Sequence, residues 1–560
     1  MYICDDIKSQ ISLVKSSEYF SRYIKDIKAG YEETKGKDIP ELSYSTFKLF
    51  WETGDRSEYE KRYFQPRYRL NRALILYLLY EEDEYMDEIC NMIWQICSEV
   101  SWALPAHFHF DNCTPENYYG YIDLFAAETA LYLAETYYLI GDKLPERVSE
   151  LLKSQVMKRT VESYMNNSFW WETLDCNWSA VCAGSVGMVY MYLAPERFDQ
   201  VKGRILGSIE CFLKGYGDDG CCREGISYWR YGFGYFLLFA EMLCRFTSGE
   251  INLMDNQKVE NIAKYIDKIF LKNNTVVSFA DGSMTCSSVD VWIVSYLAKY
   301  YEGFSLPKSA AIPYFENFPE KLSYHVRNIL WTNPELIKES SKNAPCVDYF
   351  DDAKWYISKK DKYSFASKAG HNDDSHNHND IGGFIIANEL GQLIADIGPM
   401  QYTRDNFNEK RYTFLQNSSL GHSVPIIDGN GQKEGREYCG KVISVSENEF
   451  SLEIQDAYEV KLEKIERTFS LGENFIQLTD IFKDAKTHDV TERFISVIEP
   501  EVTYNGVKIG NFEIKAKGLK QIKKEVLTKY KENDFEVYLI DFEVTDNKFS
   551  ADFAFDNMEE

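Results

Sequence analysis

The sequence predicts an α+β multidomain protein, an all-helical domain followed by an antiparallel β-sandwich. Three observations predict it. Apolar residues recur with a helical period through roughly the first 300 positions, the period changes to two after about position 350, and the span between is crowded with proline. A chain of 560 residues is also too long for one hydrophobic core. The expected boundaries are a helical domain over 1–305, a connector over 306–350 and a β-domain over 351–560.

Residues 1 to about 60 are mixed and charged and read as helix with a frayed start. From Leu70 the spacing is clear. Leu70, Leu74, Tyr77 and Leu78 share one stripe, and Met86, Ile89, Cys90, Ile93 and Cys97 share another. The strongest helix is 121–140, with Leu124, Ala127, Leu131, Ala134 and Tyr138 on one face. Gly141 is placed to stop it and Pro145 to open the next. Further helices are expected near 146–165, 178–193, 197–214, 228–247 and 257–271. Pro307, Pro313, Pro319, Pro334 and Pro345 mark the connector. Beyond it, 384–396 and 441–454 read as strand–turn–strand units, and Tyr504-Asn505-Gly506-Val507 as a hairpin turn.

Composition narrows the function. A net charge of −26 argues against a nucleic-acid protein, and against holding a membrane or polyanion by long-range field. An anionic substrate would have to be received by local basic residues. Forty tyrosines and ten tryptophans suit stacking on sugar rings, although core packing is their commoner use. Thirteen cysteines, an odd number without Cys-x-x-Cys spacing, favour free thiols in a reducing compartment. The N-terminus has no basic segment followed by an apolar run, so a cytoplasmic location is expected, or a periplasmic or secreted one if a leader was trimmed. No run reaches the roughly 18 apolar residues of a membrane span.

Chemistry concentrates in one stretch. Of eight histidines, His371, His376 and His378 fall close together, in a segment ending His376-Asn-His378-Asn-Asp-Ile-Gly-Gly. Histidine titrates near neutrality and is the commonest metal ligand. Asp396 in an apolar strand and His422 in Ser-Leu-Gly-His-Ser follow, and two histidines with one aspartate make a zinc set with one open position. Two helical-domain segments are unusually polar. One runs from Trp170 to Ser179 and includes Asn177, which could equally cap a helix; the other runs from Asp218 to Gly232 and carries Arg223, Glu224, Tyr228, Arg230 and Tyr231.

These elements together resemble the heparinase II/III-like polysaccharide lyases. The matching pieces are Trp102-Ala-Leu-Pro-Ala-His107, Asn177-Trp-Ser-Ala-Val-Cys, Glu224-Gly-Ile-Ser-Tyr-Trp-Arg-Tyr231, His376-Asn-His-Asn-Asp-Ile-Gly, Asp396-Ile-Gly and Gly421-His-Ser, in the right order. The resemblance implies an N-terminal incomplete (α/α) toroid, a C-terminal antiparallel β-sandwich and β-elimination at a uronic acid. It further implies one structural zinc held by His378, Asp396 and His422.

In that chemistry Asn177 neutralises the uronate carboxylate by hydrogen bonding while the C5 proton leaves. Tyr228 and His376 divide the base and acid duties, with Arg223 and Arg230 expected to draw the phenol down. Tyr228, which follows Glu224-Gly225 at the loop-to-helix junction, is preferred, and Tyr231 is the alternative. His107, Glu224, Arg230, Tyr231, Arg404, Arg411 and Tyr412 are candidate substrate contacts, and His109 is a further cleft candidate. The expected partner is an anionic uronate-containing oligosaccharide or polysaccharide. A homodimer is entertained, and the oligomeric state is left open. A glycoside hydrolase on a similar toroid, or a carbohydrate-binding protein without turnover, are the competing readings. Asn177 and His376 stand about 200 positions apart, so the mechanism requires both domains to serve one sugar ring.

Overall fold

A computed structural model of the chain describes residues 3–108, 117–286, 289–302, 320–336, 345–400, 402–460, 462–483, 488–527 and 536–555. Two compact units interleave along the sequence. The first comprises Met1–Tyr216, Tyr228–Glu260 and Ser288–Glu339, and the second Gly217–Ser227, Asn261–Ser287 and Ser340–Glu560.

This division differs from the single cut expected near 305. Within the expected connector, helix Leu322–Leu330 is part of the first unit and strand Cys346–Phe350 part of the second. Residues 303–319 and 337–344 lie outside the described residues. Helix Gln257–Ile269 is divided between the units after Glu260. Its stripe of Ile262, Tyr265, Ile266 and Ile269 is buried, and Tyr265 packs 5.9 Å from Phe350 within the second unit. An apolar stripe announces burial, not the partner it is buried against.

The first unit is helical. Helices Ser57–Tyr80, Asp83–Cys97, Leu124–Ile140, Asn177–Leu193, Phe198–Lys214 and Gly234–Phe246 follow the predicted stripes. Asp123 caps Leu124–Ile140, its carboxylate accepting from the Ala126 N–H at 2.7 Å. Helix Asn177–Leu193 is buried on nearly every side and packs against Leu124–Ile140, Phe198–Lys214 and Gly234–Phe246. A helix apolar all round belongs at the centre of its unit. Residues Trp229–Phe233 form a π-helical turn between Tyr228 and Gly234. Among the described residues no helix is long and apolar enough to cross a membrane.

The second unit carries antiparallel sheets of five, nine and four strands. Strand Lys464–Leu471 alternates strictly, turning Ile465, Arg467, Phe469 and Leu471 inward. Phe384 lies at the middle of the core, its ring 5.1 Å from Phe469, 5.4 Å from Phe494 and 5.9 Å from Phe553. The same inward face brings in the Arg467 charge. Its guanidinium meets Asp480 at 2.8 Å and Glu492 at 2.6 Å, with all three side chains fully buried. It also donates to the carbonyls of Gly382 and Ser423 at 2.9 and 3.1 Å. One cation therefore ties together two carboxylates and two loops.

Removing one partner of such a cluster leaves uncompensated buried charge. Arg467→Met is expected to destabilise the chain by about 3–5 kcal/mol in chemical denaturation. A loss below about 1 kcal/mol would mean that Arg467 is not the keystone described here.

Candidate functional site

The histidine stretch forms a buried loop after strand Gly370–Asn372. His376 adopts φ +58°, a left-handed conformation uncommon outside glycine, which persists only where neighbours hold it. The neighbours are specific. Arg411 donates through Nε and Nη2 to the Asn377 carbonyl at 3.3 and 3.0 Å, and the Tyr412 hydroxyl lies 3.5 Å from the Asn377 amide. The Asn379 N–H reaches the Asn417 carbonyl, and Ser419 Oγ donates to the Asn379 carbonyl at 2.6 Å. Lys368 pairs with Asp380 at 2.5 Å, both buried.

Asp281 stands at the centre of this arrangement. Its Oδ2 lies 2.6 Å from His376 Nδ1, and its Oδ1 lies 3.0 Å from His378 Nε2. The Tyr402 hydroxyl also donates to Oδ2, and Arg411 stands 3.7 Å away. Burial pushes the Asp281 carboxyl up, but the hydrogen bonds and charges of the two histidines outweigh it and hold it far below the ordinary carboxylate range. Three turns crowd together to seat this residue. A Cβ on Gly225, at φ +96°, would lie 2.8 Å from the Gly282 Cα, and one on Gly398, at φ +68°, would lie 2.5 Å from the Gly282 carbonyl. Only glycine permits both the backbone conformation and the approach.

On its other side His378 faces Asp396 and His422. The three buried residues offer ligand atoms within 4.8 Å of one another. His378 Nε2 is turned to Asp281, and among the described residues its buried Nδ1 has no hydrogen-bond partner. His422 Nε2 lies 2.7 Å from the Gln416 carbonyl, which can only accept, so the ring proton sits on Nε2. That leaves Nδ1 facing Asp396 at 3.3 Å. The Nδ1 atoms of His378 and His422 and the Asp396 carboxylate converge, a ligand set that fits a cation. Each histidine also rests its other nitrogen on an oxygen, the arrangement that orients metal-ligating imidazoles. Burial pushes the His422 imidazole down, yet the Asp396 charge outweighs it and the net shift is upward; Asp396 moves down in return.

The first unit carries further candidates. Asn177 opens helix Asn177–Leu193 and is buried. His107 Nδ1 lies 2.7 Å from Asp123, and its ring stacks 5.6 Å from Phe125 and meets Trp178 edge-on at 4.9 Å. Trp178 in turn contacts the exposed Trp170 at 4.7 Å. Tyr228 is half-buried at the start of the π turn. Tyr231 instead donates to Glu128, which also accepts from Lys321 at 2.9 Å and from Tyr132 at 3.0 Å. Burial, and then the Glu128 charge, push the Tyr231 phenol far up.

Two expected substrate contacts are otherwise engaged. Arg230 is buried and bound to Asp290 at 2.7 Å, so its guanidinium is spent on a structural pair. Arg411 clamps the loop rather than presenting its fork outward. Arg223 pairs with Asp374 at 3.2 Å, so neither cation expected to draw down the Tyr228 phenol is uncompensated. Arg404 lies exposed on the turn Arg404–Phe407, and Glu224 is half-buried beside Gly225. His109 lies outside the described residues. Sequence reasoning missed Asp281 and Tyr402. Asp281 precedes His376 by 95 positions, and its only local signal is an Asp-Gly step after an apolar run.

Comparison with known proteins adds a match over the C-terminal part of the chain. Residues 342–545 match the model of the heparinase II/III-like C-terminal domain. Among solved structures, a mutant heparan sulfate lyase HepC from Pedobacter heparinus is 12% identical with a TM-score of 0.60, covering 99% of this chain and 91% of that one. A heparinase III with methylated lysines is 12% identical with a TM-score of 0.61, covering 98% and 88%. Chondroitin AC lyase of Streptomyces coelicolor A3, in complex with chondroitin sulphate, is 8% identical with a TM-score of 0.56, covering 98% and 82%. No curated protein sequence matches the chain. The fold is therefore the toroid and β-sandwich architecture of these structures, as the sequence implied.

The glycine packing around Asp281 yields a test. Gly225→Ala meets backbone in a left-handed conformation and should cost at least about 1–2 kcal/mol. Gly203→Ala, in a helix with open space around its Cβ, should be neutral or slightly stabilising. Equal melting temperatures for the two variants would remove the argument.

Proposed function

With residues 342–545 carrying a heparinase II/III-like C-terminal domain, we propose that this chain is a polysaccharide lyase that cleaves uronic-acid-containing glycans by β-elimination. The observation that carries the reading is the assembled loop, in which His376 is oriented by Asp281 while His378 turns toward Asp396 and His422. The similar structures are named for heparan sulfate and chondroitin, so the proposed substrates are glycosaminoglycan-like polymers or their oligosaccharides. A chain of net charge −26 must receive them through local cations and neutral donors.

The reaction removes the C5 proton beside the uronate carboxylate. The electron pair forms the C4–C5 double bond, and the C4 oxygen departs with a proton. Asn177 is assigned to the carboxylate. Its amide is a neutral donor in the first turn of a helix, where the macrodipole also favours negative charge. Tyr228 and His376 are assigned the proton transfers. With glucuronate, proton and leaving group share a face and Tyr228 serves both; with iduronate they lie on opposite faces, His376 taking the proton and Tyr228 supplying one. Tyr228 is preferred over Tyr231 because the Tyr231 phenol is bound to Glu128 and strongly disfavoured as a phenolate. His107, Glu224, Arg404 and Tyr412 remain the proposed substrate contacts.

The metal proposed for His378, Asp396 and His422 is zinc, from its N, O and N donors. When bound it supplies a fixed cross-link between the histidine loop, the strand end and the Gly421-His422 turn.

An eliminated product absorbs in the near ultraviolet, whereas hydrolysis gives reducing ends without that absorbance and simple binding gives neither. Wild type should produce the absorbance from a glycosaminoglycan panel. Tyr228→Phe should lower kcat by about 100-fold or more with KM little changed, and Tyr231→Phe should stay near wild type. The reverse ranking would exchange the two tyrosines. Separately, His422→Ala should lose zinc, by elemental analysis, together with thermal stability. Full zinc occupancy in that variant would falsify the ligand assignment.

A further inference from the structure

The Asp281 carboxylate has a feature that neither the metal set nor the elimination scheme uses. Its two oxygens are divided between two histidines that face different duties. Oδ1 takes the Nε2 proton of His378 at 3.0 Å, and Oδ2 takes the Nδ1 proton of His376 at 2.6 Å. With the proton held on Nδ1, the basic nitrogen of His376 is Nε2. With the proton held on Nε2, the basic nitrogen of His378 is Nδ1, the buried atom beside Asp396 and His422. One planar group thus selects the tautomer of both rings, and its rotation cannot change one hydrogen bond without changing the other.

The surroundings keep that group in place. Asp281 is 3% exposed. The residue before it, Ala280, is left-handed at φ +57°, and Gly225 and Gly398 close on the backbone of the residue after it. Tyr402 adds a second hydrogen bond to Oδ2, the third on the carboxylate, with its hydroxyl also 3.2 Å from His376 Nδ1. Such a seat is overdetermined for a surface acid and suits a side chain that must hold two partners at fixed angles.

We infer that Asp281 is a positioning residue that couples metal retention to the orientation of His376. The inference rests on the lyase reading for the role of His376, and on the geometry alone for the coupling. Loss of the carboxylate releases both rings. His378 can then adopt the other tautomer, with its hydrogen on the nitrogen the metal needs, and His376 can present the wrong nitrogen to substrate. Asp281 is buried and lies outside the ligand set, so its loss is expected to act on kcat and not on KM.

The test compares zinc-loaded full-length wild type, Asp281→Ala and His376→Ala. Under chelator competition Asp281→Ala should hold zinc about 10–100-fold more weakly than wild type, the range typical of such supporting partners. His376→Ala should hold it within about twofold, because its ring is not a ligand. On whichever glycosaminoglycan gives the near-ultraviolet product, Asp281→Ala should lose at least about 10-fold in kcat with KM within about twofold. If Asp281→Ala fails to fold, the wild-type chain answers directly. In nitrogen-15 histidine spectra, stripping zinc should shift the ring signals of His376 along with those of His378, and leave His107 in place. Unchanged His376 signals, or a variant that keeps either zinc affinity or kcat, overturn the coupling. A wild type that produces no unsaturated product removes the lyase reading, while the zinc and spectral arms still decide the coupling.

Discussion

Buried charge has to be met by buried charge or by backbone, and in the second unit that requirement organises the loops. Arg467 points inward from an alternating strand into an aromatic core, where an unpaired guanidinium would be very costly. Two carboxylates and two loop carbonyls satisfy it. The carbonyls belong to Gly382, within the histidine motif, and to Ser423, just after His422. The site's backbone is thus tethered at both ends by one side chain of the sandwich core.

The same logic is repeated at smaller scale around Asp281 and Glu128. Each is a buried carboxylate that serves several donors at once. Asp281 gathers His376, His378 and Tyr402, and Glu128 gathers Tyr132, Tyr231 and Lys321. Networks of this kind rigidify because no member can leave without orphaning another. In the first unit this holds the Tyr231 phenol on a carboxylate. In the second it fixes which nitrogen each histidine offers.

Much of this was legible in the chain. Helices such as Leu124–Ile140 and Asn177–Leu193 follow from apolar spacing and capping residues, which are local properties. The change to alternation located the strands, and Phe384–Asn388 with Gly391–Ile394 falls where the reading placed a strand–turn–strand unit. The convergence of His378, Asp396 and His422 also followed from residue types and the family pattern. Helix Gln257–Ile269 was read correctly as a helix, but the division between the units falls within it, after Glu260, because periodicity records burial and not the neighbour.

What the sequence determined by itself was therefore the class of each element, the two-part architecture and the donor set of the candidate metal centre, all carried by spacing over short stretches. What only the tertiary structure decided was partnership. Arg230 and Arg411 looked like anion receivers until Asp290 and the Asn377 carbonyl were seen to occupy them. Asp281 carries no local mark of its role, and only the fold brings it against two histidines nearly a hundred positions later. A charged side chain carries the same composition whether it meets solvent, substrate or a buried partner. The choice is made by desolvation, which depends on the packing of distant segments and leaves no local pattern to read.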